Sequence, residues 1–162
     1  MKKTLILGYG NPDRQDDGVA WHVLAALAQQ LGRPVPETFE EEFQPGDGTP
    51  DFLFVLQLVP ELAETLSDYE RVCFVDAHTG NVPEDVQLIS VNAQYQNSPF
   101  THHMTAATCL SLAQIIYHKF PEAILVSIRG YQFGFTQSLS PETEALGSQA
   151  TQMILDWLQN KN

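Results

Sequence analysis

Three stretches of this chain carry carboxylate and imidazole groups that a fold could gather. "GYGNPDRQDDG" (8–18) holds Asn11, Asp13, Asp16 and Asp17; "RVCFVDAH" (71–78) ends in Asp76 and His78; "PFTHHMT" (99–105) holds His102 and His103. Two carboxylates and an imidazole suit a divalent cation, and three protein ligands leave a position open for a substrate. A carboxylate there can also act as general base toward water. Asp76 is the hardest of these to explain structurally, because a carboxylate ending an apolar strand is costly unless it is paired, hydrogen-bonded or bound to something. The others have plainer alternatives. An Asp ahead of a helix commonly caps it, a reading open to Asp16 and, less readily, to Asp17. A histidine near a helix start, such as His102 or His103, is commonly a surface residue. His78 reads as a loop residue with a fourth-ligand alternative, and His22 and His118 fall within helical stretches and read as incidental.

Other chemistries fit less well. Gly8-Tyr9-Gly10 follows a strand but lacks the third glycine of a dinucleotide site, and acids stand where a phosphate needs positive charge. There is no Gly-x-Ser-x-Gly elbow. Cys73 lies mid-strand and Cys109 on an inward helix face, so both read as core. Trp21, Phe74, Tyr117 and Trp157 read as core or core-edge residues.

The elements that must position these groups follow from apolar periodicity. Strands are expected at 4–8, 71–77 and 123–130, a half-exposed one at 85–91, and extended segments at 38–43 and 52–58 around the turn "QPGDGTP". Helices are expected at 18–31, 60–66, 101–118 and in 138–159. Alternating strands and helices predict an α/β fold, a three-layer α/β/α sandwich on a mostly parallel (mixed) five-stranded sheet. In such a sheet ligands gather at the carboxyl ends of the strands, which is where the three acidic and histidine-bearing stretches lead.

The bulk numbers agree. At 162 residues a single domain, 1–162, with a real core is expected. Eight basic against 20 acidic residues give a formal charge of −12, which argues against nucleic acid or anionic membrane as partner. No apolar run is long enough to insert in a membrane. "MKKTLILGYG" is too short in its apolar part for a secretion signal, and the two cysteines form no CxxC pair, so a reduced, cytoplasmic protein is expected.

With those residues in view, the sequence resembles the hydrogenase maturation proteases. "GYGNPDRQDDG" is similar to their opening signature, "FVDA" to their second motif and "THHMTAATCLSLA" to their third, a histidine opening an amphipathic helix. "LQLVPELAETLSDYERVCFVDA" and "LSPE" extend the likeness over nearly the whole chain, in order. The resemblance implies a phosphorylase/hydrolase-like fold. It also implies an endopeptidase that removes a C-terminal extension from the [NiFe] hydrogenase large-subunit precursor after nickel insertion. Nickel would arrive with the precursor, with no tightly bound cofactor of the protein's own. Carried over motif by motif, the residues recognising it fall on Asp17, Asp76 and a histidine of the 102–103 pair. Within that pair, His102 is favoured over His103: counted from it, Met104, Ala106, Cys109, Leu110 and Ala113 form the amphipathic register. Thr101 could then cap the helix with His102 in its first turn. Asp17 stands where some members have Glu, Ala20 replaces a common glycine, and Pro12 stiffens the turn. Metal-polarised water or carbonyl, or a carboxylate base, would supply the hydrolysis. Two other readings stay open: a metal-dependent chaperone that inspects the precursor without cutting it, and a metal-dependent hydrolase of small amides.

Overall fold

The computed structural model describes residues 2–93 and 104–160. Five strands, β1 (Thr4–Tyr9), β2 (Asp51–Val55), β3 (Arg71–His78), β4 (Val86–Ser90) and β5 (Glu122–Arg129), form one sheet in the order β2-β1-β3-β5-β4. The first four in that order run parallel, and β4 pairs antiparallel with β5 at the edge, so the sheet is mostly parallel and mixed. The helices are α1 (Val19–Gln30), α2 (Leu62–Leu66), α3 (Ala106–Tyr117) and α4 (Pro141–Gln159).

The strands read as continuous apolar runs because both faces of the sheet are covered. On one face Ile6, Cys73, Val75, Val126 and Ile128 pack with α1 and α4. On the other, Leu5, Leu7, Val72 and Phe74 pack with α2 and α3. A fully buried side chain of this size, such as Phe74, contributes about 1.5–3 kcal/mol. Three layers result, as the alternation of elements predicts.

Two expectations fail in the connecting segments. Residues 38–43 form no strand: 38–41 are turns and bends, and 42–43 have no regular structure. Their aromatic spacing has another cause: Phe39 packs edge-on to Trp21 at 4.5 Å and Phe43 against Phe52 at 5.6 Å, so two rings pin a loop over the core. The helix expected from residue 101 begins instead at Ala106. Thr105 is extended (φ −100°, ψ 163°), and its hydroxyl accepts from the Thr108 amide, which makes Thr105 the cap. His118 closes α3 instead of lying within it, in the left-handed conformation (φ 56°).

Candidate functional site

β1 delivers the chain to the carboxyl edge of the sheet, where Gly10 turns it into a 3₁₀ segment, Pro12–Gly18. Gly10 has φ +141°, and a Cβ there would lie 2.1 Å from the Asp17 carbonyl oxygen. A Cβ on Gly18 would lie 2.5 Å from Pro12 Cα. Both glycines are required because the turn folds back on itself. The Asn11 amide donates to Asp17 Oδ2 at 2.8 Å, and the Asn11 side chain accepts from the Asp13 amide at 3.0 Å. Asp17 is thus held by one backbone donor and stays half-exposed.

Asp16 is different in kind. It is completely buried. Its Oδ2 accepts from the amides of Tyr131 and Gln132, each at 2.9 Å, and from the hydroxyls of Ser140 at 2.7 Å and Thr143 at 2.8 Å. Its Oδ1 accepts from the Ser140 amide at 2.8 Å. Burial alone would push this carboxyl up, but the hydrogen bonds from Ser140, Gln132 and Tyr131 outweigh it and hold the group below its ordinary value. The capping reading of Asp16 is therefore right about its structural role but wrong about the helix. α1 starts at Val19, with Gly18 at its N-cap position and no side-chain cap, whereas Asp16 secures the start of α4. Next to it Gln15 adopts φ 54°, a strained value for a residue with a Cβ. The strain is held by hydrogen bonds from its amide to Thr136 O (2.9 Å) and from the Gly134 amide to its side chain (3.1 Å).

Asp76 ends the apolar run of β3 on the face of Val72 and Phe74. Its Oδ1 accepts from its neighbour's amide, Ala77 N, at 2.7 Å. Burial pushes its carboxyl up to about 7, and the Asp17 charge pushes the same way, while the Ala77 amide and a hydrogen bond from Tyr9 oppose them. Tyr9 lies on the same face, one strand away. Its own hydroxyl is driven well above the ordinary phenol range by burial and then by the Asp76 charge. The structure thus brings Asp17 and Asp76, from two different elements, within electrostatic reach of each other.

His102 and His103 lie outside the described residues. The argument for His102 from a cap at Thr101 loses its basis, since Thr105 is the cap. α3 does carry the expected inward register: Ala106, Cys109, Leu110 and Ala113 are all buried against the Asp76 face. His78 is excluded as a fourth ligand. Its Nδ1 accepts from the Gly80 amide at 3.0 Å, which fixes the proton on Nε2, and Nε2 donates to the Glu84 carbonyl at 3.0 Å. Among the described residues, no group of three or more His, Cys, Asp and Glu is arranged to hold a metal ion. Cys73 and Cys109 are buried free thiols; burial pushes Cys109 up to about 11 and Cys73 further. His22, half-buried between α1 and α4, is held below its ordinary value by burial. Asp13 is exposed and accepts from the Gln137 side chain at 2.8 Å.

Tyr9 and the clamp partners of Asp16 are the residues that sequence reasoning does not single out. Tyr9 had a signal, an aromatic hydroxyl two residues before the acidic turn at the end of a buried strand. Ser140 and Thr143 read only as the start of a helix, because their partner lies 124 and 127 residues away.

No family model matches the sequence, and no curated protein matches it. Solved structures do. The hydrogenase maturating endopeptidase HybD from E. coli superposes with a TM-score of 0.69 at 20% identity, over 97% of this chain and 92% of that one. The [NiFe] hydrogenase maturation protease HybD from Thermococcus kodakarensis gives 0.66 at 18% identity, over 97% and 99%. The hydrogenase 2 maturation peptidase from Thaumarchaeota archaeon SCGC_AB-539-E09 gives 0.61 at 21% identity, over 97% and 98%. From end to end, this chain has the fold of the hydrogenase maturation endopeptidases.

Proposed function

We propose that this protein is an endopeptidase that removes a C-terminal extension from the large-subunit precursor of a [NiFe] hydrogenase once nickel is in place. The observation that carries the reading is the pairing of Asp17 and Asp76 at the carboxyl edge of a sheet with this fold: two carboxylates from separate elements, close enough for one to raise the other. The fold of the named endopeptidases supports it.

In this reading the nickel belongs to the substrate. Asp17 and Asp76, with a histidine of the 102–103 pair, would recognise it and hold the adjoining peptide against the sheet edge. Asp17 and Asp76 are both half-buried, and the Oδ2 of Asp17 is already oriented by the Asn11 amide. Asp76, with a carboxyl near neutrality, can take a proton from water or return one to a leaving amine. Two large apolar side chains stand out beyond the strand ends of the same edge, Leu56 after β2 and Phe135 in the loop after β5, and give a polypeptide surfaces to lie on.

The test is mass spectrometry of a nickel-loaded precursor incubated with the protein. Release of a C-terminal peptide is expected from the wild type. It is expected to be lost in D17A, in D76A and in one of H102A and H103A, with the fold unchanged by circular dichroism. Binding without release would replace the peptidase by a chaperone, and turnover of small amides with tightly held zinc would replace it by an unrelated hydrolase. Normal release by all four variants would end the proposal.

A further inference from the structure

Arg129 ends β5 with a guanidinium that the fold holds in place but, among the described residues, leaves short of acceptors. β3 and β5 pair with Asp76 opposite Ser127 and His78 opposite Arg129. Paired residues of neighbouring strands project to the same face, so Arg129 stands on the Asp76 face of the sheet, one pleat nearer the strand ends. Its guanidinium lies over the Tyr131 ring, 4.8 Å from the centroid. Gly80 lies beside it, where a Cβ would come within 3.3 Å of Nη2. Stacking and packing thus hold the group. Among the described residues its buried Nε has no hydrogen-bond partner. Among the described residues its ion pair, Nη1 to Asp85, spans 3.5 Å between side chains that are 41% and 56% exposed. That is long for a charge-assisted hydrogen bond, and its exposure leaves it weak. Arg71 shares the lack of a hydrogen-bond partner at Nε and a ring stack, over Trp157, but its Nη2 donates to the Trp157 carbonyl at 2.8 Å, and Arg33 donates to the carbonyls of Pro50 and Thr49 at 3.0 and 2.8 Å.

In a chain with eight basic and 20 acidic residues, a cation on the Asp76 face of the sheet, one pleat nearer the strand ends, has a clear electrostatic consequence. The acids repel any anionic part of an approaching polypeptide, and Arg129 offsets that repulsion locally. A planar fork that is held by a ring rather than by hydrogen bonds is suited to two oxygens at once, the geometry of a carboxylate.

We propose that Arg129 binds a carboxylate of the polypeptide substrate as its C-terminal segment passes Asp76. This rests on the substrate assignment made above, so binding and cleavage are measured separately. Affinity for the nickel-loaded precursor is titrated for the wild type, R129Q and R129K. The precursor is used unmodified, with the acidic side chains of its C-terminal segment changed to amides, and with its terminal carboxylate amidated. R129Q is expected to weaken binding of the unmodified precursor about tenfold at low salt, and R129K to recover part of the loss. One of the two neutralised precursors should bind the wild type equally weakly and be indifferent to R129Q, and which one it is identifies the carboxylate. R129Q weakening all three precursors alike, or none, overturns the proposal. Peptide release by the wild type is scored in parallel. Coupling without release refutes the peptidase and keeps Arg129 as the binding residue; release without coupling does the reverse.

Discussion

The carboxylate of Asp16 and the hydroxyl of Thr143 are 127 residues apart in sequence and 2.8 Å apart in space. Through this contact and four others, one buried acid ties the turn after β1 to the loop after β5 and to the start of α4. Its neighbour Asp17 takes no part in this clamp and stays half-exposed, held by the Asn11 amide. D16N keeps the shape but turns one acceptor oxygen into a donor among donors. It is expected to lower the unfolding free energy by about 3 kcal/mol, read by urea denaturation. The sign with pH follows from a carboxyl held below its ordinary value. The stabilisation is complete above the unfolded-state value and is lost as pH falls through the folded-state value. Wild type and D16N should therefore converge in stability in strong acid, and an unchanged gap there would contradict the assignment.

Gly10 makes a second prediction, with an internal control. G10A would force a Cβ to 2.1 Å from the Asp17 carbonyl at φ +141°, so the turn must move and Asp17 with it. A loss of about 3 kcal/mol and of most precursor processing is expected. Gly32 also has a positive φ (+71°) but nothing within 4 Å, so G32A should cost only about 1 kcal/mol and leave processing intact. Thermal melts of the two variants side by side check this.

The layered fold was legible because β1, β3 and β5 are apolar runs bounded by glycines and helices, a pattern that survives without knowledge of partners. The position of the two candidate acids at the carboxyl edge was legible for the same reason: Asp17 lies in the turn after β1, and Asp76 near the end of β3. What sequence did not disclose depends on long-range contact. Asp16 looks like a local cap until Ser140 and Thr143 are placed beside it. The 38–43 segment has the aromatics of a strand, yet Phe39 and Phe43 are anchored to Trp21 and Phe52 instead of to a neighbouring strand. The start of α3 was misjudged because Thr101 and Thr105 are equally good caps on paper, and only the bond from Thr108 distinguishes them.

Asp76 gives a prediction of opposite sign to Asp16. A carboxyl raised to about 7 binds its proton more tightly in the folded state than in the unfolded chain. Between the ordinary carboxylate value and neutrality the folded state therefore holds the extra proton, and stability falls as pH rises through that window. D76N removes the buried charge. In metal-free solution it should be more stable than the wild type at pH 8 by about 2 kcal/mol and nearly equal to it at pH 4. Paired urea titrations at the two pH values decide the matter, and equal stability at pH 8 would show that Asp76 is better solvated than its position implies.

Tyr9 can be separated from Asp76 by the direction of one shift. The tyrosine hydroxyl donates to the Asp76 carboxylate and so favours its charged form, working against burial and the Asp17 charge. Y9F removes the donor and leaves an apolar ring of almost the same size, so packing against Leu7 and the α3 face is retained. The Asp76 carboxyl should then titrate above the wild-type value of about 7, as followed by the carbon resonance of its carboxyl group in the metal-free protein. In the processing assay the same change should move the acid limb of the pH profile upward, with the alkaline plateau recovered. D17N provides the complementary shift: it removes a charge that raises Asp76, so its resonance should titrate lower. If Y9F and D17N moved Asp76 in the same direction, Tyr9 would not be a donor to Asp76.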